Sequence, residues 1–237
     1  MSVTTKIRKG IKNPRMAFSY VVNRLYYLFK KKRQWTESSG GLKRKQYDTY
    51  DEYVEHQKSK FPKVKSFLKE EYDTKYRIEL RKRLQKYCVV KLGMNALCLA
   101  ARLGTEVKSF IDLGCFAIGL DLNPGHENKY VVTGDFHHIQ FADSSVDIVF
   151  TNSLDHAFNL DKLAKEIKRV TKPGGNLILE IVKGEEEGVS PSYYESVYWN
   201  TVEDVLRIFA RSGFKVLSRH SFTYPWKGEH ISFVLHK

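Results

Sequence analysis

ALCLAARLG (residues 96–104) and AIGLDLNP (residues 117–124) decide how this chain folds. In the first stretch an apolar run, Ala96–Ala100, enters a turn of small residues. Leu103–Leu113 then has the spacing of a helix, and Gly114 ends it. In the second stretch another apolar run, Ala117–Asp121, closes on an acid 21 residues after Ala100. Strand, tight turn, helix and strand in that order predict a βαβ unit and hence a parallel sheet.

The same alternation extends toward the carboxyl end. Tyr130–Thr133, Val146–Thr151, Asn176–Ile181, Lys215–Ser221 and His230–His236 read as strands. Leu160–Val170 and Thr201–Ser212 read as helices, because Leu160, Leu163, Ala164 and Ile167 share one face, as do Val202, Val205, Leu206 and Phe209. Pro173-Gly174-Gly175 reads as the turn between a helix and a strand. The last two strands are joined by a stretch too short for a crossover helix, so they should pair antiparallel. A helix is also expected from about Thr74 to Cys88, within a charged, helix-rich segment.

Hydrophobic residues make up 42% and charged residues 28% of the 237, which excludes collagen-like and wholly disordered chains. Formal net charge is +13. Residues 1–50 hold 13 Lys and Arg against Glu37 and Asp48, so most of the surplus sits in a basic arm. Inside it, Asn13-Pro14 reads as a helix start. Phe18, Val21, Val22, Leu25, Leu28 and Phe29 form one apolar stripe, flanked by tyrosines and closed by Lys30-Lys31-Lys32-Arg33. Residues 14–33 therefore suit peripheral membrane contact, packing on the protein's own body, or an acidic partner or nucleic acid; the near-neutral remainder disfavours a large nucleic-acid footprint. The run is too short to span a bilayer and lacks a cleavage site for a signal peptide. Ser38-Ser39-Gly40-Gly41 reads as a hinge. The expected division is a basic arm over 1–42, a helical flap over 43–89 and the α/β domain over 90–237. Three cysteines (Cys88, Cys98, Cys115) without metal-ligand spacing suit a reducing, cytoplasmic compartment and argue against a metal site.

Open parallel sheets take their ligands at the carboxyl ends of the strands. Small residues at Ala100-Ala101 would let a ligand approach the backbone. Asp121 would accept hydrogen bonds from both hydroxyls of a ribose. In Gly134-Asp135-Phe136 the acid suits an exocyclic amine and the aromatic suits a purine face. No Gly-x-Gly-x-x-Gly and no phosphate-binding Gly-x-x-x-x-Gly-Lys occur, which weakens dinucleotide and NTPase readings.

These stretches, with VVTGDFHHIQFADSSVDIVFTN (residues 131–152) and HAFNLDKLAKEIKRVTKPGGNLIL (residues 156–179), resemble class I S-adenosylmethionine-dependent methyltransferases of the type 11 group. The resemblance covers about residues 90–237. It implies a Rossmann-like seven-stranded sheet with helices on both faces, and S-adenosyl-L-methionine as cofactor. It implies a donor site at Ala100, Ala101, Arg102, Gly104, Asp121, Leu122, Asp135, Phe136 and Asn152. The family's first motif carries an acid and three glycines; here Cys98 stands at the acid, and Ala100 and Arg102 stand at the first two glycines. A branch with a similar Leu-Cys-Leu-Gly-Ala-Arg motif and a Leu-Asp-His after the fourth strand makes this a variant.

Asp155 and His156, after the fourth strand of the family, are the candidates for a general base, as against a turn cap and a packing residue. His137 and His138 read as surface or loop residues. The Tyr193–Trp199 stretch could wall an acceptor pocket. The expected reaction is methyl transfer to a small-molecule, saccharide or lipid-linked acceptor near a membrane. An RNA-directed methyltransferase or RNA-binding protein, and an inactive methyltransferase fold used in assembly, are the rivals.

Overall fold

This computed structural model describes residues 34–38, 40–60 and 72–236; the arm helix expected over 14–33 lies outside them. Trp35–Lys237 forms one compact unit. Its strands are β1 (Trp35–Ser38), β2 (Leu42–Lys45), β3 (Asn95–Leu99), β4 (Phe116–Asp121), β5 (Val131–Thr133), β6 (Val146–Thr151), β7 (Thr171–Val182), β8 (Val197–Trp199), β9 (Phe214–Phe222) and β10 (Gly228–Leu235). Its α-helices are α1 (Tyr50–Lys58), α2 (Arg77–Tyr87), α3 (Thr105–Ile111), α4 (Leu160–Val170) and α5 (Val202–Arg211).

Seven strands form one sheet in the order β5-β4-β3-β6-β7-β10-β9. The first five run parallel, and β10 pairs antiparallel with both β7 and β9. The strand period of two divides the core. Leu97, Val149, Leu177 and Leu179 face the side covered by α4 and α5. Ala96, Cys98, Ile148, Phe150 and Ile178 face the side covered by α2 and α3. Strands buried on both faces need continuous apolar runs, which is why LCL and IVF read as they do. The result is the three-layered α/β sheet expected from the sequence.

The α4 helix starts where Asn159 accepts from the Lys162 N–H at 3.0 Å, and Lys168 and Arg169 lie in its last turn. Its buried residues Leu160, Leu163, Ala164, Ile167 and Val170 are the apolar face the spacing marks out. The α3 helix, at seven residues, is shorter than the expected Leu103–Leu113, because Ala100, Arg102 and Gly104 hold left-handed backbone before it.

Two expectations change. Where a hinge was expected, β1 and β2 pair as a hairpin: Ser38 lies opposite Leu42, and Gly40 and Gly41 adopt φ of 79° and 77°. The β1–β2 hairpin continues into β8 through Leu42↔Trp199, so the boundary expected at residues 42/43 falls inside a sheet. Pro173-Gly174-Gly175 is not a separate turn but a bulge within β7, where the register passes from Val146↔Thr171 to Ile148↔Asn176.

Candidate active site

The groove lies at the carboxyl ends of β3 and β4. Its lining includes Ala100, Arg102, Leu120, Asp121, Leu122, Asn123, Gly134, Phe136, Ser153 and His156, and from across the opening Tyr53, Gln57 and Lys60. The space it encloses is about 50 Å³, and it opens to solvent.

The turn after β3 has an unusual backbone. Ala100 and Arg102 both have positive φ, 54° and 46°, and Gly104 has 79°. Left-handed backbone costs a residue with a Cβ about 1–2 kcal/mol. The turn survives because it is tied on both sides. The Ala101 N–H donates to the Leu120 carbonyl at 3.2 Å and the Gly104 N–H to the Ala101 carbonyl at 2.7 Å. At Gly104 itself a Cβ would meet Tyr130 Cβ at 2.7 Å, so this glycine is required. Gly119 admits the turn from below: a Cβ there would meet Ala101 Cβ at 2.8 Å.

Asp121 ends β4 facing the groove. Its Oδ2 accepts the Arg102 N–H at 3.0 Å and its Oδ1 accepts the Asn123 N–H at 2.8 Å. Each carboxylate oxygen keeps lone pairs for a further donor. Leu122 and Phe136 supply apolar walls, and Gly134 lines the groove beside them, where a Cβ would run into Leu120 and Gln140. The Arg102 guanidinium makes no hydrogen bond among the described residues.

Five of the candidate residues lie elsewhere. Ala101 is buried against Gly119, and Gly104 packs on Tyr130. Asn152 donates to Glu106 Oε1 at 2.9 Å and to the Tyr76 hydroxyl at 3.0 Å, behind the groove. Asp155 does not line the groove; burial raises its carboxyl above the ordinary range. Asp135 turns away from the groove to accept from the Tyr50 hydroxyl and, at 3.0 Å, from His137 Nδ1. Burial opposes ionisation there, yet the bonds from His137 and Tyr50 win and hold its carboxyl down to about 2.

His137 is a correction: it is fully buried, not a surface residue. Its Nε2 accepts the Phe158 and Asn159 N–H groups at 3.1 and 3.2 Å, which leaves Nδ1 as donor to Asp135. His138 is exposed. Cys98, at the family's acid position, is 1% exposed inside the core, where burial keeps its thiol protonated.

The sequence reading passed over α1 and the residues just after it. Thr49 Oγ1 accepts the Glu52 N–H at 3.2 Å and Glu52 Oε2 accepts the Asp48 N–H at 2.8 Å. Thr-x-x-Glu is the signal that would have found this helix. It delivers Tyr53, Gln57 and Lys60 to the groove. Tyr53 donates to the His156 carbonyl at 3.0 Å, fixing the loop after β6. His156 Nδ1 lies 3.0 Å from the Tyr194 carbonyl, so Nδ1 carries the proton and Nε2 the lone pair. Lys60 Nζ lies 2.5 Å from that Nε2. Burial and then the Lys60 charge push His156 well below its ordinary range, while burial and then Arg102 bring Lys60 down to about 8.

Residues 97–179, which run from β3 into β7, match the family described as a methyltransferase domain. Demethylmenaquinone methyltransferase of Thermobifida fusca is 35% identical over 101 residues, 37% of this chain and 43% of that protein. Sterol 4-C-methyltransferase strm-1 of Caenorhabditis elegans is 44% identical over 107 residues, 38% of this chain and 32% of that protein. The chain thus spans less than half the length of these curated relatives. Among solved structures, 1,6-didemethyltoxoflavin-N1-methyltransferase of Burkholderia thailandensis, with its substrate and S-adenosylhomocysteine, superposes with a TM-score of 0.60 at 12% identity. That match covers 86% of this chain and all of the other. PH0226 of Pyrococcus horikoshii gives 0.59 at 20% identity, covering 73% and 98%. At such identities the likeness is one of fold.

Proposed function

We propose that this chain transfers a methyl group from S-adenosyl-L-methionine to a small-molecule acceptor. The observation that carries the reading is the Asp121 carboxylate, aimed into the groove at the end of β4 and tied to the first-motif turn through Arg102. Positions 100, 102 and 104 all keep left-handed backbone although only one is glycine. Strain retained in a turn that lines a groove points to use of that turn, which favours an active variant over an inactive fold.

The residues fit the donor. Asp121 would hold the ribose hydroxyls, Leu122 and Phe136 would flank the adenine, and Arg102 would meet the amino-acid carboxylate as a charge partner. When bound, S-adenosylmethionine supplies an electrophilic methyl group on a sulfonium. The chain's own part is positioning and exclusion of water: α1 covers the groove, Tyr53 fixes the His156 loop, and His156 Nε2 meets Lys60 Nζ at 2.5 Å at the groove wall.

The basic arm supports a site of action at an anionic surface, with a lipid-linked or saccharide acceptor, inside the cell where Cys88, Cys98 and Cys115 stay free. Among the described residues no helix is long and apolar enough to cross a membrane. Calorimetry with S-adenosylhomocysteine tests the donor reading: micromolar binding is expected, and no heat at millimolar ligand would overturn it. Flotation with anionic liposomes, with and without residues 1–33, tests the arm.

A further inference from the structure

Resting on that donor reading, we propose that Lys60 and His156 form a subsite for an anionic oxygen. The acceptor is then an acidic hydroxyl, such as a phenol or enol, or a carboxylic acid, and not an amine.

The argument starts from what faces the groove. Among the described residues two cations line it, Lys60 and Arg102, and one carboxylate, Asp121, which already accepts two backbone N–H groups. Beside His156 the wall is therefore an ammonium and an imidazole lone pair. Asp155, 4.0 Å from His156 Nε2, and Glu195, whose Oε2 is buried without a hydrogen-bond partner among the described residues, do not line the groove. Both carboxylates favour the charged form of Lys60, against burial and Arg102, which bring it down to about 8. The arrangement is a fixed cation presented to the groove.

An amine acceptor, cationic in water, would meet that like charge. A simple alcohol would have to lose its proton to His156, which would place an imidazolium 2.5 Å from an ammonium. An acidic oxygen avoids both costs. It arrives ionised and is neutralised by Lys60. With no proton to take, His156 keeps its Nε2 lone pair toward Lys60 Nζ, 2.5 Å away. The hydrogen bond from His156 Nδ1 to the Tyr194 carbonyl holds the tautomer this needs. Charge-assisted bonds of this kind are about twice as strong as neutral ones, so the preference should be easy to read.

The full chain is titrated with 4-nitrophenol, whose phenolate absorbs in the visible, and in parallel with 4-nitrobenzylamine, a cation of similar size. Each titration is run with and without S-adenosylhomocysteine, whose own binding is followed by calorimetry. The expected result is that 4-nitrophenol binds as the phenolate, at least about tenfold tighter than the amine. Lys60→Met should lose at least about tenfold and Lys60→Arg should keep most of the affinity, both with unchanged circular dichroism. Equal or tighter binding of the amine overturns the proposal, as does phenolate affinity indifferent to Lys60→Met. Binding of S-adenosylhomocysteine without phenolate binding removes the subsite and leaves the donor reading. Lys60-dependent phenolate binding without S-adenosylhomocysteine binding keeps the anion site and removes the donor reading.

Discussion

The backbone N–H of Arg102 donates to Oδ2 of Asp121 at 3.0 Å, joining the turn after β3 to the end of β4. A residue at the second glycine position of the family motif thus keeps the hydrogen bond while adding a guanidinium to the groove. The first prediction concerns that pair. Asp121→Ala should weaken S-adenosylhomocysteine binding by about 1–3 kcal/mol, roughly 5- to 150-fold, as charged hydrogen bonds are lost. Calorimetry on wild type and variant reads it; unchanged affinity would place the ribose elsewhere.

Backbone strain can be separated from side-chain loss at position 102. Arg102→Gly and Arg102→Ala both remove the guanidinium, but only glycine adopts φ of 46° without steric cost. Arg102→Gly should be the more stable by about 1 kcal/mol in urea unfolding. Equal stability would mean that the turn is not strained.

Glu106 sets a pH dependence. Burial pushes its carboxyl up to about 7 against an ordinary 4.5, although Asn152 donates to it. The folded state then holds a proton that the unfolded state releases between these values. Stability should fall as pH rises from about 4.5 to 7 and level off above. Glu106→Gln keeps the acceptor for Asn152 and removes the titration. It should be more stable than wild type at pH 8 by roughly 3 kcal/mol, and close to wild type at pH 4.5. Parallel stability–pH curves for the two proteins would contradict this.

Behind the groove, Glu180 is fully buried and accepts from Arg83 at 2.6 and 3.1 Å, Tyr76 at 2.9 Å and His230 at 2.9 Å. Burial opposes its ionisation, but His230 and Arg83 outweigh it and hold the carboxyl below its ordinary range. Arg83→Met leaves the carboxylate short of its cation and should cost about 3–5 kcal/mol. A loss under 1 kcal/mol, measured by denaturant unfolding, would show that the pair is dispensable.

The sheet was legible because its signals are local. Val146–Thr151 and Leu160–Val170 are observed with the bounds that apolar runs and helical spacing set. The hairpin was not, because β2 is LKRK, four residues without apolar alternation. Its partner Val197–Trp199 lies some 150 residues away, and no local pattern reports a pairing at that distance. In the site, Ala100, Arg102, Asp121, Leu122, Phe136 and His156 reach the groove as a strand-end site demands. Asp135 was read from its neighbours in sequence, while its direction is set by Tyr50, 85 positions earlier. Lys60 gave no signal at all, since one lysine among many carries its meaning only through the His156 it meets.

The most direct measurement is a crystal structure of the chain with S-adenosylhomocysteine. The expected density places the ribose hydroxyls on the Asp121 carboxylate and the amino-acid carboxylate beside Arg102, with the sulfur facing the His156 loop. A groove filled instead by the Arg102 side chain, with no density for the ligand at saturating concentration, would contradict a methyl-donor site.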